Sequence, residues 1–159
     1  MTTKTNAVRF LDTHKTPYQL KSYEISTDDL SAQHVAEVVG IPIERMYKTL
    51  VLKGSTDPYL VAVIPGNTQL DLKKLAKISG NKHCEMLPMK DLLTVTGYIR
   101  GGCSPIAMKK QFPTFIDELV TLEEEIAISA GKRGLQIIMT PVQLIDLLNI
   151  KIADISFIA

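Results

Sequence analysis

The run Tyr59-Leu60-Val61-Ala62-Val63-Ile64 restricts the architecture more than any other part of this chain. It reads as a strand that is apolar on both faces, and such a strand belongs in the middle of a sheet rather than at an edge. Residues 47–53 read as a second strand, and the turn-rich Gly54-Ser55-Thr56-Asp57-Pro58 between the two predicts a hairpin.

Around this hairpin the pattern alternates between helix and strand. Ala7, Phe10 and Leu11 mark a short opening helix that stops before Thr16-Pro17, and residues 18–23 read as a strand. Ser31 is an N-cap for a helix over 32–39, with Gly40 where a left-handed C-cap is expected. A third helix over 71–79 carries Leu72, Leu75 and Ile78 on one face and ends at Gly80. Further on, the spacing predicts strands over 83–86, 114–117, 125–128, 135–139 and 152–157. Helices are predicted over 90–95 and over 141–148, the latter with Pro141 at its first position. Strands joined both by a hairpin and by helices break a regular βαβ repeat. The expected fold is therefore α/β, a mixed curled sheet or partly closed barrel flanked by helices. No linker, repeat or low-complexity segment divides residues 1–159, so a single domain is expected.

Composition narrows the classes of function. With 45% hydrophobic and 22% charged residues the chain can bury a core, and no stretch approaches the ~20 apolar residues of a membrane span. The first ten residues lack a continuous apolar segment, so no secretory signal and no membrane partner are expected; the expected location is cytoplasmic. Cys84 and Cys103 form no C-x-x-C pair, which fits a reducing compartment, and His14, His34 and His83 show no metal-ligand spacing. Neither a metal nor a cofactor is expected. A net charge of +1 argues against coating nucleic acid by bulk charge, although Lys73-Lys74-Lys77, Lys109-Lys110 and Lys132-Arg133 concentrate positive charge locally.

Two glycine-rich loops stand out, Gly101-Gly102-Cys103-Ser104-Pro105 and Ser129-Ala130-Gly131-Lys132-Arg133-Gly134, each after a β-like segment. Glycine is placed where backbone N–H groups approach an oxyanion or phosphate, or where φ is positive. Together the loops suggest one site built largely from backbone, with Lys109-Lys110 and Lys132-Arg133 at its mouth. Lys48 is the conspicuous side chain. Period-2 alternation puts it on a face with Met46, Leu50 and Leu52, where its ammonium either snorkels to the rim or sits in a partly desolvated pocket. There is no G-x-S-x-G elbow, no phosphate-loop motif and no dinucleotide fingerprint, and Ser104, Ser129 and Cys103 have no adjacent histidine to activate them.

Four segments, Tyr47-Lys48-Thr49-Leu50, residues 70–76, Thr96-Gly97-Tyr98-Ile99-Arg100-Gly101-Gly102-Cys103-Ser104-Pro105 and residues 129–135, together resemble the YbaK/EbsC family of aminoacyl-tRNA deacylases. The likeness is greater to the free-standing Cys-tRNA(Pro) deacylases than to the editing domain inserted into prolyl-tRNA synthetases. The resemblance implies that Lys48 is the essential pocket lysine, Thr49 its neighbour, Tyr23 the pocket tyrosine and Ser129 the serine opening the second loop. Gly101 and Gly102 would form the first loop, and Ser104, Gly131, Lys132 and Arg133 would hold substrate. It also implies a task, removal of cysteine mischarged onto tRNA(Pro) or carried by tRNA(Cys), with prolyl-tRNA synthetase as a partner. In the cysteine-specific members the substrate thiol attacks its own ester carbonyl and leaves as a thiolactone, which accounts for the missing nucleophile. Water-dependent cleavage of another mischarged substrate such as Ala-tRNA(Pro), and a non-enzymatic module that binds a tRNA end or phosphate, stay open. The chain departs from the family pattern at Ala107, where a glycine is usual, at Gln136, acidic in some members, and over 25–30, which lacks an aromatic residue.

Overall fold

A computed structural model describes residues 4–25 and 29–158; within the 25–30 segment, residues 26–28 lie outside that description. In chain order the elements are α1 (Asn6–Thr13), β1 (Gln19–Ser22), α2 (Ala32–Val39), β2 (Tyr47–Gly54), β3 (Leu60–Pro65), β4 (Thr68–Leu70), α3 (Leu72–Ser79), β5 (Cys84–Met86) and α4 (Leu92–Thr96). They continue with β6 (Thr114–Asp117), β7 (Ile126–Ser129), β8 (Leu135–Met139), α5 (Pro141–Leu148), β9 (Lys151–Ala153) and β10 (Ser156–Ile158). The helix ends follow the expected chemistry. Ser31 Oγ accepts from His34 N–H, and Gly40 and Gly80 close their helices at φ +78° and +79°.

β3 is central, as its composition demands. It pairs antiparallel with β2 and parallel with β6 in a five-stranded mixed sheet of order β5-β2-β3-β6-β9. Alternate residues serve different cores. Val61 and Val63 pack with α1, α5, β7 and β8, whereas Leu60, Ala62 and Ile64 pack with Leu75 and Ala76 of α3. Each such fully buried aliphatic side chain contributes about 1.5–3 kcal/mol, so both faces of this strand stabilise the fold. A second sheet, β1-β8-β7, is antiparallel, and a parallel bridge between Met46 and Ala127 links it to the start of β2. The result is the expected mixed, curled α/β architecture. Among the described residues no helix is long and apolar enough to cross a membrane.

Two sequence expectations are corrected. The predicted strand over 152–157 splits in two: β9 joins the large sheet, while β10 pairs with β4 in a separate two-stranded sheet. The break occurs at the fully buried Ile155, whose N–H donates to Asp117 Oδ1 and whose carbonyl accepts from Asp71 N–H, holding the chain out of the ladder there. The first glycine loop follows α4 rather than a strand. Thr96 Oγ1 back-bonds to Leu92 within the helix, and Gly97 ends it at φ +88°.

The pairing of β2 leaves a gap that locates the site. β5 covers only its end, from Leu52 to Gly54, with one further bond from Leu87 N–H to the Val51 carbonyl. Between there and the Met46–Ala127 bridge, the side of β2 opposite β3 carries no paired strand.

Candidate active site

A cavity of roughly 490 Å³ opens onto that gap. It is lined by residues of β2 from Tyr47 to Val51, by Gly101 and Cys103 of the first loop, and by Ser129 with Gln136 of β7 and β8. The first turn of α2 and the apolar Met86, Leu87, Met89 and Leu92 complete the wall. Lys48, Thr49, Gly101 and Ser129, far apart in sequence, therefore converge on one cavity. Tyr23, Gly102, Ser104, Gly131, Lys132 and Arg133 do not line it. Tyr23 packs behind the wall with Val35 and Met46, and Ser104 is fully buried in a turn where its Oγ accepts from Ile106 N–H.

The two glycine loops are locked together. A Cβ on Gly102 would lie 3.0 Å from the Lys132 backbone, and one on Gly131 would lie 3.0 Å from the Tyr98 ring. Gly101, at φ +84°, lies against the Arg133 side chain, whose Nε donates to the Arg100 carbonyl at 2.7 Å. Tyr98 donates its hydroxyl to the Ile106 carbonyl from beneath. The second loop is held from another side by Thr5, which caps α1 and donates to the Ala130 carbonyl at 2.6 Å. Ala107 adopts φ +58°, keeping the left-handed backbone that a glycine would take at that position.

This locking revises the expected backbone cradle. Gly102 N–H donates to the Ile99 carbonyl, Ala130 N–H to the Leu135 carbonyl and Gly131 N–H to Ser129 Oγ. Gly101 and Cys103 line the cavity, and their amides have no protein partner among the described residues. Gly102 and Gly131 thus act through close packing, with their N–H groups committed elsewhere.

Lys48 lies half-buried, its Nζ 3.5 Å from the Gly66 carbonyl, and burial pulls its pKa below the usual lysine value. Lys48 lines the cavity, with its ammonium partly desolvated beside Gly66, another lining residue. Gly66 supports this arrangement: its N–H donates to Met46, and a Cβ there would meet that carbonyl at 2.9 Å. Burial pushes the Cys103 thiol up to about 12, so it stays protonated at neutral pH and is no nucleophile. Three lining residues carry a buried polar atom, Tyr47 Oη, Thr49 Oγ1 and Gln136 Oε1, that has no hydrogen-bond partner among the described residues. Unpartnered buried polar atoms are costly to the fold.

Among the described residues no acidic side chain lines the cavity, and the cations that do are Lys48 and Arg100. Of the basic residues expected at the mouth, Lys109 instead places Nζ on the Thr94 carbonyl, and Lys110, Lys132 and Arg133 stand away from the wall. Sequence reasoning assigned no role to Arg100, Gly66, Gln136 or the first turn of α2. Arg100 lay within the motif Thr96–Pro105 but outside its glycines; the burial of Gln136 follows from its cross-strand pairing with Ser129.

The aminoacyl-tRNA editing domain model matches residues 28–147. A relative from Enterococcus faecalis, "Putative Cys-tRNA(Pro)/Cys-tRNA(Cys) deacylase EbsC", is 54% identical over 153 residues, covering 96% of this chain and 93% of that protein. Proline–tRNA ligase of Thermosipho africanus is 30% identical over 80 residues, 50% of this chain and 14% of the ligase. The fold matches a crystal structure described as "a putative trans-editing enzyme for prolyl tRNA synthetase" with TM-score 0.81 and 21% identity, covering 98% of this chain and 99% of the other. The chain belongs to the aminoacyl-tRNA editing domain family.

Proposed function

We propose that this protein deacylates mischarged Cys-tRNA(Pro), and Cys-tRNA(Cys), as a free-standing editing enzyme acting beside prolyl-tRNA synthetase in the cytoplasm. The observation that carries this reading is the convergence of Lys48, Thr49, Gly101 and Ser129 on a cavity whose wall offers no activated nucleophile. The 54% identity to a relative named as such a deacylase supports the substrate.

The chemistry that fits is substrate-assisted. The cysteine thiol, as thiolate, attacks its own ester carbonyl; a carbon–sulfur bond forms and the carbonyl electrons move to oxygen. Collapse breaks the bond to the ribose oxygen, which takes a proton, and a four-membered thiolactone departs. Protein groups need only orient the thiol and stabilise the oxyanion, to which the Gly101 and Cys103 amides and the Lys48 ammonium are available. Thr49 and Gln136 line the same cavity and flank the bound acyl end. Gly102, Gly131, Lys132, Arg133, Ser104 and Tyr23 hold these groups in place from behind the wall.

The test uses preformed Cys-, Ala- and Ser-tRNA(Pro) with the wild type and Lys48→Ala. Cys-tRNA(Pro) alone should be cleaved, the variant should lose ~10²-fold or more in rate, and alkylating the substrate thiol should stop the reaction. Unchanged release from the alkylated substrate would overturn the thiol mechanism in favour of water attack. Failure to accelerate release from any of the three would leave only a binding role.

A further inference from the structure

Thr5 does not line the cavity, yet one of its hydrogen bonds reaches the loop that carries Ser129. Its hydroxyl is used twice. Oγ1 accepts from Val8 N–H at 3.2 Å, capping α1, and donates to the Ala130 carbonyl, 125 residues further along the chain, at 2.6 Å. The donor is itself held in place, because α1 buries Ala7, Val8 and Leu11 completely in the same apolar cluster as Ala130 and Leu135.

The carbonyl that Thr5 meets belongs to the peptide unit between Ala130 and Gly131. The other end of that unit, the Gly131 N–H, donates to Ser129 Oγ at 3.2 Å. A trans peptide is planar, so its carbonyl and N–H point in opposite directions and cannot turn independently. Fixing the carbonyl on Thr5 therefore fixes the N–H on Ser129. Without that hold the unit is free to flip, because residue 131 is a glycine at φ +101° and has no Cβ to oppose rotation of the peptide before it. Ser129 lines the cavity, and its hydroxyl hydrogen has no acceptor among the described residues. The bond from Gly131 thus sets where the serine oxygen lies and leaves its proton for a ligand.

We infer that Thr5 is a positioning residue, whose hydroxyl pins the Ala130–Gly131 peptide and so orients the Ser129 hydroxyl for the aminoacyl end of the substrate. The assignment rests on the deacylase reading for the identity of that substrate, whereas the hydrogen-bonded path from Thr5 through the peptide to Ser129 stands on geometry. Hydrogen bonds in a chain polarise one another, so the donation from Thr5 also strengthens the bond from Gly131 N–H to Ser129.

The experiment measures single-turnover release from Cys-tRNA(Pro) by the wild type, Thr5→Ser, Thr5→Asp and Thr5→Val, at a temperature where all are folded. Serine keeps both the cap and the donor, ionised aspartate caps Val8 N–H but has no proton to donate, and valine does neither. Thr5→Ser should stay within ~3-fold of the wild type, while Thr5→Asp and Thr5→Val should each lose ~10-fold or more in rate. Repeating Thr5→Val in a Ser129→Ala background separates positioning from stability, because a residue that acts through Ser129 should cause no further loss there. Full activity in Thr5→Asp, a Thr5→Ser as slow as Thr5→Val, or a Thr5→Val loss undiminished without the Ser129 hydroxyl would each overturn the assignment. Hydrogen exchange at the Gly131 amide gives a readout that needs no substrate. Its protection should drop in Thr5→Asp and Thr5→Val and hold in Thr5→Ser; unchanged protection in all three would reject the pinned peptide. A wild type that cleaves no Cys-tRNA(Pro), but whose Gly131 amide responds in this way, would reject the deacylase reading alone.

Discussion

Lys48 illustrates how a single side chain can weaken the fold that carries it. Burial makes its ammonium costly, so its folded pKa lies below the usual 10.5. Between the two values the unfolded chain binds more protons than the folded one, and stability there rises with pH. The penalty is thus present in full below the folded pKa and is relieved as pH climbs towards 10.5. Lys48→Met keeps the length of the side chain and removes the charge. It should raise Tm at pH 7 and lose this advantage as pH approaches 10.5, while activity falls ~10²-fold or more. Thermal melts across that range check the sign, and a variant that melts below the wild type at pH 7 would show that Lys48 is held by favourable interactions outweighing its desolvation.

The two glycine loops show why pattern alone misjudges a backbone site. Their glycines were legible as an unusual demand on the main chain, but sequence does not reveal whether glycine is needed for a ligand's approach or for the other loop's. Gly102 belongs to the second kind, since its N–H serves Ile99 and its missing Cβ makes room for Lys132. Local signals read well where the cause is local, as at Ser31, Gly40 and the doubly apolar β3. They failed where a distant partner decides, as at Ile155, held by Asp117 and Asp71, and at Gly66, set against Met46. Lys48 and Ser129 could be picked from the chain, but their convergence depends on the single bridge by which β7 meets the start of β2. A paired substitution separates strain from interlocking. Gly40→Ala, at φ +78° with open space around it, should cost about 1–2 kcal/mol of stability and leave activity intact. Gly102→Ala must push the loops apart and should cut activity ~10-fold or more even where the protein still folds, because the Gly101 and Cys103 amides move with the loop. Equal activities for the two variants, measured at a temperature where both are folded, would detach the interlock from function.

Charge limits how much of a tRNA this molecule can recognise. Its net charge is +1, and the cavity proposed to take the acyl end has, among the described residues, Lys48 and Arg100 as its cations. Affinity for nucleic acid grows with the number of phosphates neutralised, and a footprint of one or two phosphates gives a log–log salt slope of only about −1 to −2. Sequence is read through base edges, which requires side chains reaching well beyond a cavity of roughly 490 Å³. Selection by the isolated protein should therefore rest on the amino acid and the terminal nucleotide, with the tRNA body supplied by prolyl-tRNA synthetase. The expected outcome is that Cys-tRNA(Pro) and Cys-tRNA(Cys) are deacylated at rates within ~10-fold of each other by the protein alone, with the shallow salt dependence given above. Adding prolyl-tRNA synthetase should then favour Cys-tRNA(Pro). A preference of ~100-fold or a steep salt slope without the synthetase would require this chain to grip the acceptor stem itself, across a surface well outside the pocket.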